Sequence, residues 1–326
     1  MKRGFRLLLL GCVLVVAVGG YLLLSHINTE NEDTASSEDT EETVDIAKPA
    51  STDIRSMEYV YDGETVCLTR TDSSSDWEYA DDSSFPLDQT YPAQMAAAVA
   101  ALSPTRSFAG GDVADYGLDD PDVSVTVTDA DGNQYVYSVG DENDLTYEYY
   151  LSADDSGTVY LVDSSLSDAF SNGLFDIVEE EDIPQLKDVQ SIAIDAEAKD
   201  VSIYYDEDAH LSYSDSVVWY LNQNETVLPL GTDEVESLID SLNDMTWSAC
   251  VSYNADQESL GIYGLLEPAA TVRVAYYADV TTATGDTDSS GNPVTTTTSE
   301  ERTYTLELGS YVGDYCYARL GDSDMV

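Results

Sequence analysis

A Tyr-Gly-Leu triplet occurs twice in the chain, each time followed at the same distance by a proline and then by an alternating apolar run. The first copy is Tyr116-Gly117-Leu118-Asp119-Asp120-Pro121, leading into Val123, Val125 and Val127. The second is Tyr263-Gly264-Leu265-Leu266-Glu267-Pro268, leading into Ala270, Val272 and Val274. Self-similarity at so long a period means one structural unit used twice.

The correspondence extends to both sides. Upstream, Trp77-Glu78-Tyr79 matches Trp219-Tyr220-Leu221, and a helical segment follows in each copy. Downstream, Tyr135, Tyr137 and Val139 before Gly140 match Tyr304, Leu306 and Leu308 before Gly309. Alternate strand residues share a face, so keeping the apolar register in both copies is a physical match. Residues 150–159 then align without gaps on residues 317–326. The first copy continues through Tyr160-Leu161-Val162 into a short helix at about 164–170, whereas the second stops at Val326. This spacing predicts a fragment of a longer protein, the alternative being a last repeat degenerate at its end.

Each unit reads as short antiparallel strands interrupted by a helix, an α+β fold of two tandem repeats spanning 56–182 and 188–326. Asp62-Gly63 marks a tight hairpin between strands at 57–61 and 65–69. A helix is predicted over 91–102, with Pro92 in its first turn and Met95, Val99 and Leu102 on one face. In the second unit Thr232 is the expected N-cap, and Val235, Leu238, Ile239, Leu242 and Met245 form an apolar stripe at helical spacing. The second copy opens its central hairpin with an insertion, 281–299, whose Thr, Ser, Gly and Asp content predicts a mobile surface loop. The motif glycine reads as a backbone device, with no catalytic role required.

Lys2, Arg3 and Arg6 precede an apolar run over residues 7–24. A run of that length approaches the roughly 30 Å of a bilayer core, so 1–24 is predicted to be an uncleaved transmembrane anchor in contact with lipid through 7–24. Its cations place the N-terminus in the cytoplasm and the rest outside. A cleaved signal and a lipobox at Leu9-Leu10-Gly11-Cys12 are the competing readings. Residues 25–55 are acidic and poor in apolar side chains, which predicts a disordered tether.

The formal net charge is −52, from 12 basic and 64 acidic residues, which excludes nucleic acid as a partner. Cys67, Cys250 and Cys316 lack CxxC spacing and read as ordinary semi-buried thiols. The two histidines, His26 and His210, have no HExxH or GxSxG context. Asp286-Thr287-Asp288-Ser289-Ser290-Gly291 opens like an EF-hand loop, but Thr297 stands where a bidentate Glu is required. Like Asp129-Ala130-Asp131-Gly132, it reads as turn chemistry. No catalytic, cofactor-binding or metal-ligating residue is assigned, and no cofactor is expected.

The Tyr116–Pro121 segment, Val139-Gly140, and Tyr149-Tyr150 leading to Thr158-Val159-Tyr160-Leu161-Val162-Asp163 resemble domain-of-unknown-function family 4340. The second copy repeats the pattern at Tyr263–Pro268, Leu308-Gly309 and 315–326. The resemblance implies a single-pass, membrane-anchored bacterial envelope protein, often linked with ABC-type export systems of the gliding-motility kind. It supplies no catalytic residues. The expected function is therefore a non-enzymatic extracytoplasmic accessory or scaffold to such a transport complex, with ABC transporter subunits as partners. The alternative is a free-standing surface module binding glycan or protein.

Overall fold

The structure, a computed structural model, describes residues 44–154, 156–197, 199–208, 216–223, 226–287 and 293–326. The predicted anchor at 1–24, both histidines, most of the tether and residues 288–291 of the EF-hand-like segment lie outside the described residues. Among the described residues no helix is long and apolar enough to cross a membrane.

Two antiparallel sheets carry the fold, as the α+β expectation requires. In the first repeat the strands are β1 (Ile54–Tyr61), β2 (Glu64–Thr69), β3 (Glu78–Tyr79), β4 (Arg106–Ala109), β5 (Val123–Asp129), β6 (Gln134–Glu142), β7 (Tyr149–Ala153) and β8 (Thr158–Val162). Helix α1 (Thr90–Ala101) follows β3, and α2 (Ser165–Phe170) follows β8. The second repeat contains β9 (Ser191–Ala196), β10 (Val201–Tyr205), β11 (Trp219–Gln223), β12 (Thr226–Leu230), α3 (Thr232–Asn243), α4 (Gln257–Tyr263), β13 (Ala270–Thr287), β14 (Pro293–Val312) and β15 (Tyr315–Leu320).

The sheet orders are β3-β2-β1-β5-β6-β7-β8-β4 and β12-β11-β10-β9-β13-β14-β15. Six strands correspond in order, β3-β2-β1-β5-β6-β7 to β11-β10-β9-β13-β14-β15; β12 is added at the outer edge of the second sheet, and among the described residues β8 and β4 have no strand counterpart there. Register agrees as well: Met57 faces Val127 as Ile192 faces Val274, and Val127 faces Tyr135 as Val274 faces Tyr304. Beyond β15, Val326 donates to the Ser252 carbonyl and Ser252 donates back. That pairing repeats the contact of Val159 with Phe108 between β8 and β4.

Alternation builds the cores. In β5, Val123, Val125 and Val127 are buried while Ser124, Thr126 and Thr128 are half-exposed. Each such side chain, fully buried, stabilises by about 1.5–3 kcal/mol. Met95, Val99 and Leu102 bring α1 onto the first sheet, and Val235 and Leu242 bring α3 onto the second. Tyr59 and Tyr137 are core residues whose hydroxyls donate to the carbonyls of Asn172 and Ala47 at 3.1 and 2.7 Å. Burial pushes both phenols up from their ordinary pKa.

Three expectations are corrected. The insertion at 281–299 is not a loop over most of its length, because β13 and β14 continue through it as a ribbon with Thr281 opposite Thr297 and Thr282 opposite Thr296. Threonine is β-branched and favours a pleated strand, which outweighs the polar composition. The folded unit also starts ahead of residue 56: Ile46 and Ile54 are buried in the first core, and Lys48 donates to the Leu102 carbonyl at the end of α1. Finally, Thr232 is the first helical residue of α3, with Gly231 as its N-cap.

Candidate functional site

The repeated motif is an interlock of two glycines. Gly117 ends a short 3-10 turn with φ +68°, and Gly264 ends α4 with φ +73°, the left-handed conformation that favours glycine. The turn then lies on the backbone of the second glycine. A Cβ on Gly140 would sit 2.2 Å from the Tyr116 carbonyl oxygen, and one on Gly309 would sit 2.2 Å from that of Tyr263. Both glycines stand at register shifts, in β6 between Val139 and Glu142 and in β14 between Leu308 and Tyr311. Such bulges re-aim the strand at a sheet end. The motif tyrosine packs on an equivalent ring in each repeat, Tyr116 on Tyr150 at 4.9 Å and Tyr263 on Tyr317 at 4.6 Å.

A different part of the fold separates the repeats. Arg70 lies with its guanidinium 4.5 Å from the ring centre of Trp77, in cation–π geometry, and donates to the carbonyls of Ile54 and Ser51. It thereby fastens the chain entering β1 over the indole. The ladders place Tyr205 and Trp219 at the equivalent positions in the second repeat, where the rings meet edge to face at 5.2 Å. With tyrosine in place of arginine, a cleft of about 510 Å³ lies there, against about 380 Å³ for the polar cleft that Arg70 lines in the first repeat. Its walls are Tyr205 and Trp219, Glu236 and Ile239 of α3, Tyr277 and Ser299 at the base of the ribbon, and Asp188, Gln190 and Glu207. The Tyr205 hydroxyl donates to Glu207 at 2.5 Å, and that hydrogen bond is the main cause of its raised pKa, ahead of desolvation. Concave, aromatic and ringed by oxygen acceptors, the cleft suits a hydroxyl-rich or cationic group.

The remaining candidates of the sequence are accounted for by structure. The Asp129 carboxylate accepts from the backbone of Asp131 and Asn133, the Asn133 amide and the Tyr135 hydroxyl. Those bonds, the Asn133 amide first, hold its pKa below the usual carboxylate range. In the second repeat Tyr276 stands in its place, and the Tyr304 hydroxyl, equivalent to that of Tyr135, is buried without a hydrogen-bond partner. Cys67, Cys250 and Cys316 are free thiols, and burial raises the pKa of the first two. Among the described residues no group of three or more His, Cys, Asp or Glu side chains is placed to hold a metal ion.

The cleft was not among the sequence-assigned residues. Its signal is the exchange of Arg70 for Tyr205 beside equivalent tryptophans, readable only once the registers of β2 and β10 are known.

Two sheets that share a six-strand order, locked at equivalent ends by paired glycines, define a tandem-repeat α+β fold. The chain belongs to the family described as domain of unknown function (DUF4340), which matches residues 77–210 and 219–326. The matched segments begin at the two equivalent tryptophans. No curated protein and no solved structure gave a match.

Proposed function

We propose that the chain is a non-enzymatic, membrane-anchored extracytoplasmic scaffold, accessory to an ABC-type export complex of the gliding kind, in which the first repeat serves as frame and the second as binding half. The observation that carries this division of labour is the contrast at the two equivalent tryptophans: Arg70 lies over Trp77 and lines a polar cleft, while Tyr205 and Trp219 line a larger one walled by aromatic rings and carboxylates. The apolar run over residues 7–24, with Lys2, Arg3 and Arg6 ahead of it, supports the anchor. The family resemblance supports the transporter link. Mild detergent extraction of the full chain should co-purify transporter ATPase and permease subunits; recovery of the chain alone would sink the scaffold role.

A second reading, a surface module that binds glycan, is favoured by the rings of Tyr205 and Tyr277 beside the Glu207 and Glu236 carboxylates. It predicts that Tyr277→Ala abolishes retention on a bacterial-glycan array. Retention equal to that of the parent chain would remove this reading.

A further inference from the structure

At the interlocked end five positions that are acidic or amide in the first repeat are apolar or aromatic in the second, while the first repeat's own exposed large side chains there, Leu145 and Tyr147, sit in its longer β6–β7 turn. Asp115, before the first Tyr-Gly turn, corresponds to Ile262, which is 71% exposed. Asp119 corresponds to Leu266, 55% exposed. On the adjoining hairpin, Glu142, Asn143 and Glu148 correspond to Tyr311, Val312 and Tyr315, exposed by 74, 55 and 66%. The ladders fix this alignment, since Glu142 faces Tyr149 as Tyr311 faces Cys316. The turn after α4 and the β14–β15 hairpin share one surface, because Gly264 and Glu267 line the same cleft, of about 560 Å³, as Tyr311.

The first repeat forms the same interlock with polar side chains at all five positions, so folding does not require apolar ones. A cluster of exposed large apolar side chains marks an interaction surface, whereas single ones are ordinary. Its surround decides the partner. Glu197 and Glu267 line the cleft, Glu258 lies in the first turn of α4, and Asp314 sits between Val312 and Tyr315. Against them stands Lys199 of the β9–β10 turn, while Arg273 and Arg319 are already paired with Asp195 and Glu307. A second copy of a chain of net charge −52 would set carboxylates against carboxylates, and an anionic membrane would do the same.

We infer that the end of the second repeat formed by α4 and the β14–β15 hairpin docks a protein segment with an apolar face flanked by lysine or arginine. The inference rests on the scaffold reading and supplies the chemistry of the partner. The probe is a synthetic amphipathic helix of leucine and lysine, titrated into the full chain in nonionic detergent, with a leucine–glutamate helix as control. The test variant, Ile262→Asp, Leu266→Asp, Tyr311→Glu, Val312→Asn and Tyr315→Glu, gives the second repeat the first repeat's own residues.

The expected result is at least a tenfold loss of affinity for the leucine–lysine helix, although the variant gains four negative charges. Unchanged or tighter binding, which plain charge attraction produces, overturns the inference; so does equal binding of the leucine–glutamate helix. Self-association or phosphatidylcholine-vesicle binding that the variant abolishes also overturns it, by naming a different occupant. Should the fivefold variant not fold, Ile262→Asp and Tyr311→Glu are each expected to weaken binding about threefold. Transporter subunits co-purifying equally with parent and variant would sink this surface and keep the scaffold. Peptide binding lost in the variant, with no transporter recovered by either, would do the reverse.

Discussion

In the first repeat Arg70 lies over Trp77 and ties down the chain from Ser51 to Ile54, whereas in the second Tyr205 takes its place and, with Trp219, lines a larger cleft walled by rings and carboxylates. Asp129 gathers four hydrogen bonds at the tip of the β5–β6 hairpin, while Tyr276 replaces it where β13 runs on into the ribbon. Duplication supplies an internal control. Features common to both copies, such as the glycine interlock, the strand order and the buried valines, are what the fold needs. Features of one copy alone are free to serve something else.

The largest test of that division is at the shared interlock. Gly140→Ala and Gly309→Ala each drive a Cβ into a backbone carbonyl, and each should cost about 3 kcal/mol in urea denaturation. A clear inequality between them would show that the two interlocks are not equivalent. Next comes Arg70→Ala, which removes a cation–π contact and two hydrogen bonds and should cost about 2 kcal/mol. The same denaturation measurement on Tyr205→Ala should show a smaller loss, and an equal one would contradict the proposed contrast.

A smaller pair of effects concerns the equivalent tyrosines. Tyr135→Phe gives up a hydrogen bond to Asp129 and should cost about 1 kcal/mol. Tyr304→Phe removes a buried hydroxyl that has no partner, and thermal unfolding should find it neutral or stabilising. The smallest effect is a slope in alkali. The Tyr253 phenol is pushed from 10.0 up to about 12, first by its hydrogen bond to Asp82 and then by desolvation, and Tyr304 reaches about 12 by burial. The folded chain therefore holds these protons more tightly than the unfolded chain. Their stabilisation is complete below pH 10 and is lost as pH rises from 10 through 12. Tyr253→Phe should flatten that decline, and an unchanged slope would remove Tyr253 as its source.

Much of the repeat was legible in the sequence because it rests on local chemistry. The motif glycines, Asp62-Gly63 and the stripe of α3 are written in short-range patterns. The hairpin partners of Val127 and Val274 followed from alternation alone. Helix α4 was missed, although its cap is present: Asp256 accepts from the Ser259 amide and Gly264 closes the other end. The ribbon was misread because threonine's strand preference was outvoted by polarity. The contact of Gly140 with Tyr116 and the opening beside Trp219 depend on residues far apart in sequence, which no local pattern records. Ile46 lies in the stretch read as tether, and only tertiary packing makes it core.

The strand that receives the entering chain has a mechanical consequence. β1 begins eight residues after Ile46 and lies between β2 and β5, inside the first sheet rather than at its rim. Tension applied ahead of Ile46 and directed along β1 shears two ladders at once, whereas an outermost strand would unzip pair by pair. A pull applied at that point would meet a part of the sheet that resists it on both flanks.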